Sequence, residues 1–481
     1  MHYLDLATIA LYLIAITWFG AHFRKSQRSL KDYFLGGRNA PWWAIALSIV
    51  SAETSTLTVI GTPALSFSGN FEFLQLVLGY LLARIVISAL FLPQYFRGEM
   101  FTAYELMRRR FGERIRRLTA GTFLVLRALA EGVRVFALSI VIAIVLGTGE
   151  IVSILVIVCL TLFYTFEGGM TAVIWTDAVQ MFLYVGGAIL SFWVILQQIP
   201  GGWPHVAALA GEAHKFQMFD FRFAWTPEFF SRSYSFWAGL IGGTFFTTAS
   251  HGTDQLIVQR LLAARGQKQS ATALISSGFA IFFQFALFLL VGVMLWAYYR
   301  VPSATFGKPD RIYPTFIATR LPHGISGLLI AAILAAAMSN LSAALNSLSS
   351  SAIMDFYARF RPQSDEKTKM RVSRLATLVW ALILFGLAVI ALHRAGRVVE
   401  AGLQIASVAY GAMLGAFLLG ALTRRANQFG TMVGMLCGFA LELYLWLGTH
   451  VPWTWWVTLG TSVTFIVGIG VSALEAKRQS A

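Results

Sequence analysis

Stretches of apolar residues long enough to cross a bilayer alternate with short polar segments along the whole chain. A crossing takes about 20 apolar residues. Such stretches fall at 3–22, 42–66, 73–95, 118–147, 151–166, 171–197, 234–252, 271–299, 322–354, 372–393, 399–423, 428–449 and 454–474. The pattern predicts thirteen transmembrane helices and an all-α polytopic membrane protein.

Three of these stretches are not uniformly apolar. The second begins as a clean helical run at Trp42, then enters Ser51-Ala-Glu-Thr-Ser-Thr-Leu-Thr58 and meets Gly61-Thr-Pro63. Hydroxyls, a carboxylate and then Gly and Pro favour local unwinding, and freed backbone carbonyls that line a cavity can bind a cation. A proline kink with hydroxyls bonded back to the preceding turn is the alternative. The seventh combines Gly239, Gly242, Gly243 and Gly252 with Thr244, Thr247, Thr248 and Ser250, which again suits a discontinuous helix. The ninth carries a comb of small polar residues over 335–357. Wound at about 100° per residue, Ser339, Asn340, Ser342, Asn346, Ser347, Ser349 and Ser350 share one half of the cylinder, while Met338, Leu341, Leu345 and Leu348 take the other. Such a stripe suits either helix–helix packing or an ion site.

Spans two to six and seven to eleven form two sets of five, each led by an interrupted member. That placement predicts inverted repeats around a midplane site. The expected divisions are 1–41 (an extra helix and a loop), 42–197 (first repeat), 198–233 (an outer loop), 234–425 (second repeat) and 426–481 (C-terminal helices and tail).

Composition strengthens the membrane reading. Charged residues make up 12% of the chain and mean hydropathy is +0.69, against about 25% charged in an ordinary soluble domain. The net charge of +15 is distributed by side. With the N-terminus outside, inner segments hold 25 Lys and Arg and outer segments nine, so the positive-inside rule predicts an outer N-terminus and a cytoplasmic C-terminus in the plasma membrane. The charge then reflects topology and an anionic inner leaflet, not nucleic-acid binding. Arg24, Lys25 and Arg28 follow the first apolar run, which suits a transmembrane helix better than a cleaved signal peptide. Cys159 and Cys437 both lie in apolar runs and suggest neither disulfides nor a zinc site. Neither a phosphate loop nor a dinucleotide fingerprint is present. Polar stretches are too short for a soluble catalytic module, so neither an enzyme nor an ATP-driven pump is expected, and a transporter-like sensor would need a separate output partner.

Tyr33-Phe-Leu-Gly-Gly-Arg-Asn-Ala-Pro-Trp-Trp-Ala44, the run Ser51–Gly61, Thr253-Asp-Gln-Leu-Ile-Val-Gln-Arg260, the comb Ala335–Tyr357 and Phe417-Leu-Leu-Gly-Ala-Leu-Thr-Arg-Arg425 together resemble the solute:sodium symporter family over roughly residues 1–450. The resemblance implies a LeuT-type fold of two inverted five-helix repeats. It also implies inward symport of a small organic solute, with a carboxylate as one candidate and sodium as the coupling ion, by a protein working as a monomer. Proton coupling through Glu53 or Asp177 is the alternative within the same class.

By the same resemblance, sodium would be held by the carbonyls of Ser51, Thr54 and Ala336 and the side chains of Ser339 and Asn340. Relatives usually carry Ser or Thr where Asn340 stands. A second sodium would involve Asp177 and Ser342, although Ala343 replaces a further hydroxyl. Glu53 is open to three roles: tuning cation binding, contacting a substrate cation, or taking up a proton. Arg127, Glu131 and Arg134 recur on one helical face, as a self-neutralising stack or as a grip on a substrate carboxylate through Arg134. Thr58, Gln75, Tyr80 and Thr248 are further candidate substrate contacts.

Overall fold

The computed structural model describes residues 2–22, 38–97, 100, 103–164, 170–224, 226–300, 308–352, 357, 361, 363, 366–394 and 397–480. Among these the secondary structure is helical apart from turns and one isolated bridge between Ala40 and Ala264. In chain order the helices that matter are α1 (Tyr3–His22), α2 (Trp42–Glu53), α3 (Thr56–Ser68), α4 (Leu74–Leu90), α5 (Ala103–Phe111), α6 (Glu113–Leu146), α7 (Glu150–Tyr164), α8 (Met170–Gln198), α9 (Gly202–Glu212), α10 (Gly243–Gly252), α11 (Gln255–Leu262), α12 (Gln267–Tyr299), α13 (Ile312–Arg320), α14 (Ile325–Ser351), α15 (Glu366–Arg394), α16 (Val398–Leu422), α17 (Gln428–Gly448) and α18 (Trp453–Ser480). A π-helical turn, Ala238–Gly242, runs directly into α10.

Each expected stretch carries helix among the described residues. Eight helices are by themselves long and apolar enough to cross a membrane, or nine if the bent pair α2 and α3 counts as one span. Tyr3–Ile16, Leu74–Leu90 and Glu150–Cys159 are shorter apolar helices. Several helices outrun their apolar stretches. α6 begins at Glu113 and takes in Arg114, Arg116 and Arg117, and α15 begins at Glu366. Helical hydrogen bonding continues past the hydrocarbon wherever charged side chains can remain in water.

The second stretch is broken by a 64° bend, as expected, and the break falls at Thr54–Ser55, inside the hydroxyl run. Pro63 lies inside continuous α3. The Pro63 carbonyl accepts a bond from Ser66 Oγ at 3.3 Å, and Ser66 Oγ also donates to Leu289 of α12 at 2.6 Å. Gly61 faces Val399 of α16, where it leaves no room for a side chain. The glycine is spent on packing, not on unwinding.

The seventh stretch divides the same labour differently. A Cβ on Gly239 would stand 2.6 Å from the Gln75 carbonyl carbon, and one on Gly79 would stand 2.5 Å from the Gly239 oxygen. These glycines let α4 and the π-turn touch backbone to backbone. The break comes later, at Thr253–Asp254, where Asp254 caps α11 by accepting from Leu256 N at 2.9 Å.

The segment between α8 and the π-turn is seated on the membrane helices. Lys215 donates to the carbonyls of Ser66, Phe67 and Gly69 at 3.3, 2.8 and 2.8 Å, capping the C-terminal end of α3. Asp220 binds Arg222 and Arg232, and the hydrogen bonds from Arg222 hold its carboxyl below the usual carboxylate range.

Candidate functional site

The two helix breaks open onto one cavity. Its empty volume, including the mouth, is about 1100 Å³, and Glu53 and Ser55 from the first break meet Asp254 and His251 from the second on its wall. Phe73, Tyr80, Phe123, Phe246, Phe285 and Tyr410 give it an aromatic lining, with Phe246 edge-on to Tyr410 at 5.6 Å and stacked near Tyr80 at 6.5 Å. Thr247 also faces it, and its buried Oγ1 has no hydrogen-bond partner among the described residues. Buried hydroxyls are rarely left unsatisfied unless a water, ion or ligand completes them.

At the first break several carbonyls lose their helical donors, those of Ser51 and Thr54 among them. In a continuous helix Ser51 O would accept from Ser55 N, and Thr54 O from Thr58 N. Instead Ser55 N donates to Glu53 O at 3.0 Å and Thr58 N donates to Ser55 O at 2.9 Å. Thr54 Oγ1 turns back onto Val50 O at 2.7 Å and accepts from Gln284 Nε2 at 2.6 Å. Ser51 and Thr54 are the two of these that the family resemblance assigns to sodium. Asn340 reaches this region, because a second cleft of about 280 Å³ is bounded by Ser55, Thr56, Glu131, Arg134, Ala337 and Asn340. Ala336 is buried in α14. The side chains of Ser339 and Ala343 lie outside the described residues, as do those of Asn346, Ser347 and Ser350.

Glu53 is ion-paired. Arg84 Nη2 donates to its Oε2 at 2.5 Å, and His251 Nε2 lies 3.3 Å from the same oxygen. Arg84 is fully buried and also donates to Tyr80 O and Ser277 Oγ. Asp177 is likewise satisfied by a cation of the protein. Arg260 Nη2 donates to its Oδ2 at 2.9 Å and Ser48 Oγ at 2.6 Å, which pins α2, α8 and α11 together. A buried guanidinium needs such a partner, because an uncompensated charge costs several kcal/mol.

The α6 stack forms as its spacing suggests. Glu131 Oε1 receives both Arg127 at 2.9 Å and Arg134 at 2.6 Å. One carboxylate thus serves two guanidiniums, leaving the stack a net positive charge. Arg127 and Glu131 are buried, whereas the Arg134 side chain is 26% exposed and lines both the cavity and the smaller cleft.

Of the candidate solute contacts, Glu53, Thr58, Tyr80 and Arg134 line the cavity. Gln75 is not on its wall. It donates to Tyr234 O at 2.8 Å and accepts from Asp220 N at 2.8 Å, tying the 198–233 segment to α4. Thr248 is buried on α10, outside the lining, as an unbonded hydroxyl. Arg84, His251, Asp254, Gln284 and Tyr410 escaped the sequence reading. Arg84 had a signal, since an intramembrane arginine needs a carboxylate and Glu53 lies in the adjacent span. The others had none that their spacing could supply.

A multi-pass helical protein with two interrupted helices meeting at one polar-and-aromatic cavity is a secondary transporter of the LeuT type. A solved sodium-coupled sialic acid symporter, in a substrate-bound outward-open state, superposes with a TM-score of 0.85 at 28% identity, covering 98% of each chain. The transporter Mhp1 in a closed conformation shares the fold, with a TM-score of 0.58 at 11% identity over 92% of this chain and 94% of its own. The chain belongs to the sodium:solute symporter family, whose model matches residues 33–438. It is 29% identical to the sodium/sialic acid symporter of Proteus mirabilis (strain HI4320), over 98% of this chain and 96% of that one. It is 28% identical to the human sodium/iodide cotransporter, over 92% of this chain and 70% of that one. The mouse sodium-coupled monocarboxylate transporter 2 is 27% identical, over 89% and 69%. The protein is therefore a transporter and not an enzyme, and it couples symport of a small organic solute to sodium.

Proposed function

We propose that the solute is a small organic carboxylate with an apolar or aromatic body, carried inward with sodium. The observation that carries this reading is the net positive α6 stack, which offers Arg134 at the edge of an aromatic-lined cavity. A guanidinium matches a carboxylate with two parallel hydrogen bonds, and the rings would take the body of the solute. The relatives named above are symporters of sialic acid, iodide and monocarboxylates, all of them anions.

Sodium would sit between the Ser51 and Thr54 carbonyls and α14, with Ala336, Ser339 and Asn340. Arg134 touches both compartments. An acid bound to it would lift its repulsion of the cation, so each ligand would raise the affinity of the other by the same factor. A second sodium at Asp177 and Ser342 would require Arg260 to release the Asp177 carboxylate. The protein would work as a monomer in the plasma membrane, N-terminus outside, with 42–197 and 234–425 as inverted repeats that rock around the cavity.

Uptake of lactate, benzoate and N-acetylneuraminate into proteoliposomes tests this reading. One of them should enter only with an inward sodium gradient, and Arg134→Gln should weaken its half-saturation about tenfold to a hundredfold, as losing a charge-assisted bond implies. Uptake driven by a pH gradient and indifferent to sodium would refute the coupling. An equal loss for a neutral solute would refute the arginine's role.

A further inference from the structure

One carboxyl group takes no part in the cavity or the ion pairs described above. Glu442 lies in the C-terminal third of α17 and is fully buried. Among the described residues no lysine, arginine or histidine forms an ion pair with it. Its carboxyl is turned instead onto the backbone of α16, with Gly411 N donating to Oε1 at 2.9 Å and Ala412 N donating to Oε2 at 3.3 Å. Those two amides lie inside a continuous helix, where an acceptor can approach only if the side chains stand aside. Gly411 and Gly460 supply the gap, since a Cβ on either would collide with Oε1. From α18, Thr461 Oγ1 donates to the Gly411 carbonyl at 3.2 Å. Gly411 is thus gripped at both its amide and its carbonyl by the two helices behind it.

The residue before Gly411 faces the other way. The Tyr410 hydroxyl donates to Asp254 Oδ2 at 3.2 Å, closing the cavity between α16 and the second helix break. An acid buried within a membrane-spanning helix is costly, and it persists where it serves function. We infer that Glu442 is a positioning residue: it fixes the rotation and height of α16 at Gly411 so that Tyr410 reaches Asp254 across the solute cavity. Its own carboxyl touches neither solute nor ion. Without it the C-terminal helices would hold α16 only through Thr461 and side-chain packing, and the Tyr410–Asp254 bond would lose its fixed length.

A double-mutant cycle on the purified full-length protein in detergent tests this, using thermal unfolding and no solute, so the outcome is independent of which solute is carried. Tyr410→Phe should lower the midpoint by roughly 2–4 °C in the wild-type background, as expected for a hydrogen bond to a charged group. In Glu442→Leu, which cannot accept from Gly411, the same change should cost less than half as much. Glu442→Gln keeps an acceptor oxygen and should restore the full effect. Additive losses in every background would overturn the inference and leave Glu442 as packing. Should Glu442→Leu fail to fold, Gly411→Ala displaces the carboxyl without removing it, and the same reduced cost of Tyr410→Phe is required there.

Discussion

Replacing Glu53 by glutamine separates two accounts of that residue. Arg84 is fully buried, with Glu53 Oε2 at 2.5 Å, Tyr80 O at 3.0 Å and Ser277 Oγ at 3.2 Å. Only the first of these partners carries charge. Breaking a buried pair by removing one side costs about 3–5 kcal/mol, and glutamine still accepts one hydrogen bond, which puts Glu53→Gln near the lower end. At roughly 1–2 °C per kcal/mol for a chain of this length, the unfolding midpoint in detergent should fall by about 3–6 °C. Arg84→Met should fall at least as far, because it strands the carboxylate. Glu53→Gln combined with Arg84→Met removes both charges and should recover at least half of either loss. A single mutant of wild-type stability, or a double mutant that simply sums the two losses, would refute the ion-pair account. Sodium supplies the second readout. If Glu53 serves Arg84, the double mutant keeps the upward shift that sodium gives the wild type. If that shift disappears in Glu53→Gln and stays lost in the double mutant, Glu53 belongs with the groups that tune the cation.

Two further outcomes follow from a buried loop carboxyl and from the glycine packing. Asp310 is fully buried, with Val398 N on Oδ2 at 3.2 Å, and burial pushes its carboxyl up to about 6. Its protonated form is therefore favoured by folding, so the associated stability is complete below about pH 4 and is lost as pH rises through 6. That loss is about 3 kcal/mol; midpoints measured from pH 4 to 7 should show the decline, and Asp310→Asn should flatten it. Gly239→Ala would set a methyl 2.6 Å from the Gln75 carbonyl carbon and should cost about 1–3 kcal/mol by overpacking. Gly211→Ala, where nothing lies within 4 Å, should leave the midpoint unchanged, and equal effects at the two glycines would contradict the close approach of α4 and the π-turn.

Helices were legible because bilayer thickness imposes a length that hydropathy displays directly. The first break was legible for a related reason, since a carboxylate among hydroxyls at 51–58 is costly in an uninterrupted apolar helix. The Gly61–Pro63 pair that follows this run is not part of the break: Gly61 packs on Val399 and Pro63 lies inside continuous α3. Partners across helices were not legible. Arg84 and Glu53 are 31 positions apart on different helices, and periodicity along one helix carries no information about which face meets which. Arg260 shows the same limit from the other side. Counted among the inner-loop charges, it is in fact buried against Asp177 from α8. Gln75 looked like a cavity residue because it is a polar group in an apolar run, yet its bonds go to Tyr234 and Asp220.

The three carbonyls held by Lys215 give the protein a handle away from its cavity. That ammonium fastens the 198–233 segment to the terminal turn of α3, the helix whose other end begins at the break beside Glu53 and carries Thr58 toward the cavity. Segment and helix are therefore one lever. A binding protein that clamped the surface of 202–224 would hold the end of α3 in place without entering the cavity.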